Sequence, residues 1–418
     1  MSDPQARRDA SEPPATGKRP HIVHIVGTLG VGGVQRLVLD LANSPAGRAY
    51  RHSVLCLFGT KGSLKNRFEE EGLEFGVCGV PWPEKLDVGS YRLSRWLRKG
   101  LSWTFPGRLA RDLERRGADL VHTHVSYRVD LQADGAVRRA RLPLVWTIHG
   151  QYQPEGRELE EWRRATRVLV QGGAITVVSE ELARDFRARG LDHPDGIHVT
   201  WGGVDLSAFG EARPRDSRFR ARLGIPPDAV VFGSSGRLVH EKAYEIFVRA
   251  AARLVAGGSN AHFAIAGGGP LLREMESEIA RLGLEGRFHL LGFQSDVPGF
   301  LRELDVFVLS SRFEGFSLAL IEALAASRPC IATPVGVVNE MIGENGTLIV
   351  PPESDEALAD AMKTMLSPSV RAAFAARGPK LAARYSIDRT AEEFASLYDR
   401  LLATGGAVGN SRRKVNER

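Results

Sequence analysis

A chain of 418 residues, 43% of them hydrophobic, has enough apolar matter for two domains with full cores, and its 25% charged fraction is that of an ordinary soluble protein. No stretch offers the roughly 18–20 uninterrupted apolar residues of a spanning helix, and the opening MSDPQARRDASEPPATGKRP is polar and Pro-rich rather than a secretory signal. The formal charge of +6 sits in the first half, where residues 1–200 carry 30 Lys and Arg against 24 Asp and Glu, while residues 201–418 carry 26 against 26. Cys56, Cys78 and Cys330 show neither metal-ligand spacing nor a disulfide framework, so a reducing, cytoplasmic setting is expected.

Residues 1–20 read as a disordered leader. Apolar runs then alternate with helical patterns. His21 to Val26 is a strand, Val34 to Ala42 a helix, Ser53 to Phe58 a strand, Leu64 to Glu71 a helix and Phe75 to Val77 a strand. Further strands fall at Leu120 to His122, Leu144 to Ile148 and Ala174 to Val178. Such alternation signals βα units around a mainly parallel sheet. The pattern lapses at Gly202 to Ser217 and restarts at Val230, which places an interdomain linker there. The second half repeats the alternation, with strands at Val230 to Phe232, His262 to Ile265, Phe288 to Leu290, Val306 to Leu309 and Cys330 to Ala332. Helices are predicted at Tyr244 to Val255, Leu271 to Leu282, Leu318 to Ala325 and Arg389 to Leu402, and 405–418 reads as a flexible basic tail.

Two segments carry the chemistry. After Val230 to Phe232 a Gly-Ser-Ser-Gly turn, Gly233 to Gly236, brings in Arg237 and Lys242. Arg clamps a phosphate with two parallel donors and Lys supplies a point charge, a pair suited to a pyrophosphate leaving group. After the strand ending at Leu309, the Glu314-Gly315-Phe316-Ser317 turn opens the helix that starts at Leu318. Its free amides and positive dipole end attract phosphate. Glu322 lies eight residues beyond Glu314, about two turns on a helix. Carboxylates in such places accept paired sugar hydroxyls.

GRLVHEK at Gly236 to Lys242, EGFSLALIE at Glu314 to Glu322 and AGGGP at Ala266 to Pro270 resemble the retaining glycosyltransferases of family 4, over about His21 to Leu402. The resemblance implies the GT-B fold: an α/β protein of two facing Rossmann-like domains, with a C-terminal helix crossing back to the first. On that plan 21–205 is the acceptor domain, 206–386 the nucleotide-sugar domain and 387–404 the crossover helix. It further implies that Arg237 and Lys242 hold the diphosphate, Glu322 the ribose hydroxyls and Glu314 those of the donor sugar. Gly315, Phe316, Ser317 and Leu318 line the sugar and phosphate, Gly32 and Gly33 face the phosphates, and His149 lies beside the reacting sugar. His149, Glu314, Arg237 and Lys242 are thus the candidate catalytic set. Gln35 stands where many members have Glu, Ala243 where a Gly commonly follows Glu-Lys, and Gly268 where an Asp or Glu is usual. None of these removes a phosphate cation or either carboxylate.

The expected activity is transfer of a hexose from a nucleotide diphosphate-sugar to an acceptor hydroxyl, with retention and without metal or other cofactor. Asp119, Asp130 and Asp134 form no Asp-x-Asp motif, and His122 and His124, on one side of a strand, lack clustered Cys or acidic partners. The favoured acceptor is a lipid-linked glycan of surface or exopolysaccharide synthesis. Its sequence support is a basic aromatic patch that can lie on anionic lipid at the inner membrane face: Arg92, Arg95 and Arg98 interleaved with Leu93, Trp96 and Leu97, then Lys99, Trp103, Phe105 and Arg108. The blander reading of the patch is an amphipathic helix packed on the core. A soluble small-molecule acceptor is the alternative, and a sugar-nucleotide epimerase or a non-catalytic scaffold are the rivals of another class. No recognised module or basic stripe suggests nucleic acid.

Overall fold

A computed structural model describes residues 18–30, 32–57, 59–60, 64–77, 106–124, 135–150, 156, 159–160, 162–163, 173–191, 196–209 and 217–413. Apart from Lys18 to Pro20 the leader lies outside them, as do Cys78 and the basic aromatic patch except Arg108, which is exposed on a helix over 106–116.

Two parallel sheets form the frame. The first contains β1 (His21–Val26), β2 (Arg51–Cys56), β3 (Glu74–Val77), β4 (Leu120–Thr123), β5 (Leu144–Ile148), β6 (Gly173–Val177) and β7 (Ile197–Val199), in the order 3-2-1-4-5-6-7. The second contains β8 (Val231–Ser235), β9 (His262–Ala266), β10 (Phe288–Leu290), β11 (Val306–Leu309), β12 (Cys330–Ala332) and β13 (Thr347–Ile349), in the order 10-9-8-11-12-13. Every ladder is parallel. Each sheet reverses its strand order beside its first strand, at β1/β4 and β8/β11, and doubly wound sheets bind ligands outside the carboxyl ends at such points. The segments that follow β1 and β11 meet, a Cβ on Gly33 coming within 2.7 Å of Leu318 Cδ1, as the GT-B arrangement expected from the sequence requires.

One sequence expectation needs correction. Gly233 to Ser235, read as a turn, lie inside β8, and the turn starts at Gly236. Gly233 is in the strand because the space is filled: a Cβ there would come within 2.4 Å of Leu304 Cδ2. Glycine here admits a neighbour instead of breaking the chain.

The linker expected at 202–217 is pinned at its start. Val204 bridges Ser386, and Val204 N–H donates to the Tyr385 carbonyl at 3.0 Å. From there the helix Ile387–Arg413 runs back over the first sheet. Ile387, Ala391, Phe394, Leu397, Tyr398 and Leu401 join Ile22, Leu37, Leu120 and Val145 in one buried cluster. Tyr50 Oη donates to Asp399 Oδ1 at 2.6 Å, and Thr390 Oγ1 donates to the Trp201 carbonyl at 3.0 Å. The helix continues past Gly405 and Gly406 to Arg413, into the segment read as a tail, since propagation from an anchored helix adds one hydrogen bond per residue fixed.

Phe394 is 1% exposed, so Phe394→Ala should cost about 3–5 kcal/mol. Urea unfolding followed by tryptophan fluorescence should show the earliest transition moving to lower denaturant; an unmoved transition would mean the helix is not part of the first domain's core.

Candidate active site

The carboxyl ends of β8 and β11 deliver the charged groups. A 3₁₀ turn, His240–Lys242, follows β8 and closes on Ala243, which is buried at φ 48°. That left-handed backbone costs an alanine roughly 1 kcal/mol or more and explains why glycine suits the position. Lys242 Nζ lies 2.6 Å from Glu314 Oε1, and Ser311 Oγ donates to the same oxygen at 2.6 Å. Ser310 Oγ donates to the Lys242 carbonyl at 2.9 Å. Burial opposes the Lys242 charge, but the contacting Glu314 carboxylate outweighs it and raises the ammonium above its ordinary range. Arg237 is exposed and pairs with no acid among the described residues, and its charge reaches Lys242.

Ser317 caps the helix Leu318–Ala325 from φ 76°, ψ 61°, making no side-chain cap bond. Its Oγ is buried without a partner. An unpartnered hydroxyl at a helix N-terminus offers a donor beside the free amides and the positive dipole end, a setting in which an anion can be held. The AGGGP turn braces this floor: Gly236 N–H donates to the Ala266 carbonyl and Leu238 N–H to the Gly268 carbonyl, both at 3.0 Å. A side chain at Gly268 would meet nothing within 4 Å, so the Asp or Glu that the resemblance leads one to expect there would enter open space.

The first domain closes over this floor. A Cβ on Gly315 would stand 2.0 Å from the His149 carbonyl oxygen, and one on Gly33 would stand 2.7 Å from Leu318 Cδ1. Gly33, Leu318, Gly315 and His149 therefore meet across the interface, with Phe316 buried beside them. Gly32 caps the helix Gly33–Asn43, and Gln35 Nε2 donates to the Thr28 carbonyl at 2.9 Å, a bond that the more usual Glu cannot donate.

Glu322 is also placed here, but in other company than the sequence suggested. Its Oε1 lies 2.5 Å from Arg36 Nη1 of the first domain, and Arg36 also reaches Asp40 at 3.6 Å. Burial raises the Glu322 carboxyl while Arg36 opposes the shift; Asp40, also raised mainly by burial, stands at about 6. Arg36 was missed by the sequence reading. The one available signal was its position three residues after Gly33, in the first turn of a helix aimed at the site.

Residues 31–208 match the family model described as Glycosyltransferase Family 4, and residues 216–381 match that of Glycosyl transferases group 1. The chain is 30% identical to D-inositol 3-phosphate glycosyltransferase of Saccharomonospora viridis, over 68% of this chain and 70% of the relative. The chain belongs to the group 1, family 4 glycosyltransferases. This glycosyltransferase is also 27% identical to alpha-D-kanosaminyltransferase of Streptomyces kanamyceticus, over 87% of its own length and 98% of the relative. Its fold matches Anabaena Alr3699/HepE in complex with UDP-glucose, with a TM-score of 0.76 at 20% identity, over 91% of this chain and 99% of that one.

The first domain of the glycosyltransferase carries a polar stripe that its helix patterns did not foretell. His24 and His122 are in-register neighbours on β1 and β4. His52, His124 and Thr147 lie on the same sheet face, which the terminal helix covers. His122 Nδ1 is 2.5 Å from Tyr398 Oη and its Nε2 is 2.6 Å from Thr147 Oγ1. His24, His122 and His124 offer ring nitrogens within 4.8 Å of one another. Every nitrogen of those three rings is, however, engaged in hydrogen bonds with protein groups. The cluster is accounted for as a hydrogen-bonded network. Burial pulls His24, His122 and His124 well below the ordinary imidazole range, with neighbouring histidines adding to the shift, and brings His52 and His149 to about 4.

These imidazoles stay neutral in the fold and regain their ordinary value when it opens. Between pH 6.5 and about 4 the unfolded chain therefore binds more protons, so stability is full above 6.5 and falls as pH drops through that window, by up to about 1.4 kcal/mol per pH unit for each ring. Denaturant titrations at pH 7.5, 6.5, 5.5 and 4.5 should show this loss, with a shallower slope in His52→Gln; a flat profile would mean the rings are charged in the native state.

Proposed function

We propose that the enzyme moves a hexose from a nucleotide diphosphate-sugar to an acceptor hydroxyl, with retention of anomeric configuration and with its own cations in place of a divalent metal. The observation that carries this reading is the Lys242–Glu314 contact beside the orphaned Ser317 hydroxyl, roofed by His149. Binding then proceeds by exchange of partners. The diphosphate takes Lys242, Arg237 and the amides at Ser317 and Leu318, which frees Glu314 for the sugar hydroxyls. The ribose diol takes Glu322 from Arg36. Rupture of the bond between the anomeric carbon and the phosphate oxygen builds negative charge on the leaving group, which Arg237, Lys242 and the helix end stabilise. The acceptor oxygen bonds to the same face of the anomeric carbon, and its proton passes to the departing phosphate oxygen. The chain needs no separate base for this route. A product of inverted configuration, read by NMR, would overturn it.

Thermal unfolding with UDP, GDP and ADP, each with and without magnesium, tests the donor site. A nucleotide at 100 times its Kd should stabilise by about 2.7 kcal/mol. UDP is the first choice, since the Anabaena structure of the same fold holds UDP-glucose. The wild type should shift without magnesium and Lys242→Ala should not. No shift with any nucleotide would overturn the donor site.

For the acceptor, we favour a lipid-linked glycan met at the inner membrane face, on the strength of the basic aromatic sequence at Tyr91 to Arg108. Among the described residues no helix is long and apolar enough to cross a membrane, so contact would be peripheral. A free polyol is the second reading, favoured by the relative named for D-inositol 3-phosphate. Flotation with phosphatidylglycerol vesicles separates them: binding that falls in 0.5 M salt supports the first, and failure to float leaves the second.

A further inference from the structure

His149 ends a line of four imidazoles that crosses the first domain. His149 Nε2 lies 2.9 Å from His124 Nδ1, His124 Nε2 3.0 Å from His24 Nδ1, His24 Nε2 2.9 Å from His52 Nδ1, and His52 Nε2 2.9 Å from the Gly47 carbonyl oxygen. The direction of every bond follows from its far end. A carbonyl oxygen only accepts, so His52 Nε2 carries a proton. A neutral imidazole has one N–H, so His52 Nδ1 accepts and His24 Nε2 must donate to it. The same step then fixes His24 Nδ1 as acceptor and His124 Nε2 as donor, and finally His124 Nδ1 as acceptor and His149 Nε2 as donor. His149 is left with a bare Nδ1, for which no partner exists among the described residues.

We propose that His52, His24 and His124 are positioning residues that fix the tautomer of His149, so that its Nδ1 accepts a hydrogen bond from a substrate hydroxyl. The opposite polarity would set the His52 Nε2 lone pair against the Gly47 oxygen, two acceptors face to face in a buried place. The inference needs neutral rings, and the surroundings keep them so. His52, His24 and His124 are buried, and no carboxylate hydrogen-bonds any of the four among the described residues. Titratable groups packed around them include His21, His122, Tyr50 and Tyr398, and Lys18, Arg19, Arg48, Arg51 and Glu71 line the cavity that His52 borders. Two of these are tied off elsewhere, His122 between Tyr398 and Thr147, and Tyr50 on Asp399. A neutral His149 with a bare Nδ1 can take a hydroxyl proton as acceptor; the opposite tautomer would present a donor, fitting only a lone pair. The proposal rests on the reading that His149 borders the reacting sugar, but the tautomer itself does not.

The test is nitrogen NMR of the full chain labelled with ¹⁵N-histidine, which tells from its shifts which ring nitrogen bears the proton. All four rings should be Nε2–H in the wild type, a result that needs no variant; Nδ1–H on His149 or His124 overturns the proposal. In His52→Phe the terminal donor is lost, and His149 should become a mixture of tautomers. Transfer kcat should then fall about tenfold, the value of one ordinary hydrogen bond, with KM for the nucleotide-sugar nearly unchanged. His52→Gln, whose amide can donate to Gly47 and accept from His24, should restore both. An unchanged His149 tautomer in folded His52→Phe overturns the relay. A shifted tautomer with undiminished transfer keeps the relay and instead removes His149 from the chemistry.

Discussion

The constraint on which the rest depends is the return of the terminal helix to the first sheet. Ile387–Arg413 is made after the second domain is complete, yet its buried face belongs to the first. By covering the sheet face that bears His24, His52 and His122, it removes water from side chains that would otherwise titrate at ordinary values. Tyr398 also supplies the hydroxyl that occupies His122. One helix therefore joins the domains and keeps the histidine network dry. A buried polar stripe of this kind is stable only when each member is satisfied, and its donors and acceptors are matched link by link.

The cleft between the domains is organised by close approach and by charge already paired. Glycine at position 315 lets the second domain come against the His149 carbonyl, and glycine at 33 lets Leu318 reach the first helix. A second clamp lies farther along: Glu340 accepts the N–H groups of Glu180 and Glu181, at the start of the helix Glu180–Ala188. A carboxylate from one domain thus caps a helix of the other and meets the positive end of its dipole. Glu340, Arg36 and Gly315 secure the interface at three separate places.

Much of this was legible in the sequence, for identifiable reasons. β1, β5, β10, β11 and β12 fall where the apolar runs placed them, because buried parallel strands read as uninterrupted hydrophobic segments. Short or polar elements escaped. Ile197–Val199 and Thr347–Ile349, three residues each, went unread, and Glu180–Ala188 carries five charged residues among its nine. At the site, Arg237 with Lys242 and Glu314 with Ser317 each followed from local strand-turn-helix context, while the meeting of the two segments, 72 positions apart at Lys242 and Glu314, was implied by the family resemblance. The Arg36–Glu322 pair and the histidine line were not legible, because each joins residues far apart in the chain, 286 positions in the first case. A sequence can show that a histidine ends a strand; it cannot show that four strand ends or edges abut.

Pre-paired charges are not an obstacle to substrate on the proposed reading, because partners can be exchanged one for another. An empty cleft with a bare Lys242 and a bare Glu314 would leave two largely buried charges unpaired with each other, at a cost of several kcal/mol. The mutual contact at 2.6 Å avoids that cost. On the proposed reading, a diphosphate with two or more negative oxygens would outcompete one carboxylate for the lysine, and the released Glu314 would be satisfied by sugar hydroxyls. The same would hold across the interface, where Arg36 bridges Glu322 and Asp40 and would keep Asp40 if a ribose diol took Glu322. No charge is stranded at any step. A ligand with phosphate but no sugar would free Glu314 without giving it partners, and one with sugar but no phosphate could not displace it from Lys242. On the proposed reading, the resting ion pairs would favour an intact nucleotide-sugar over its fragments.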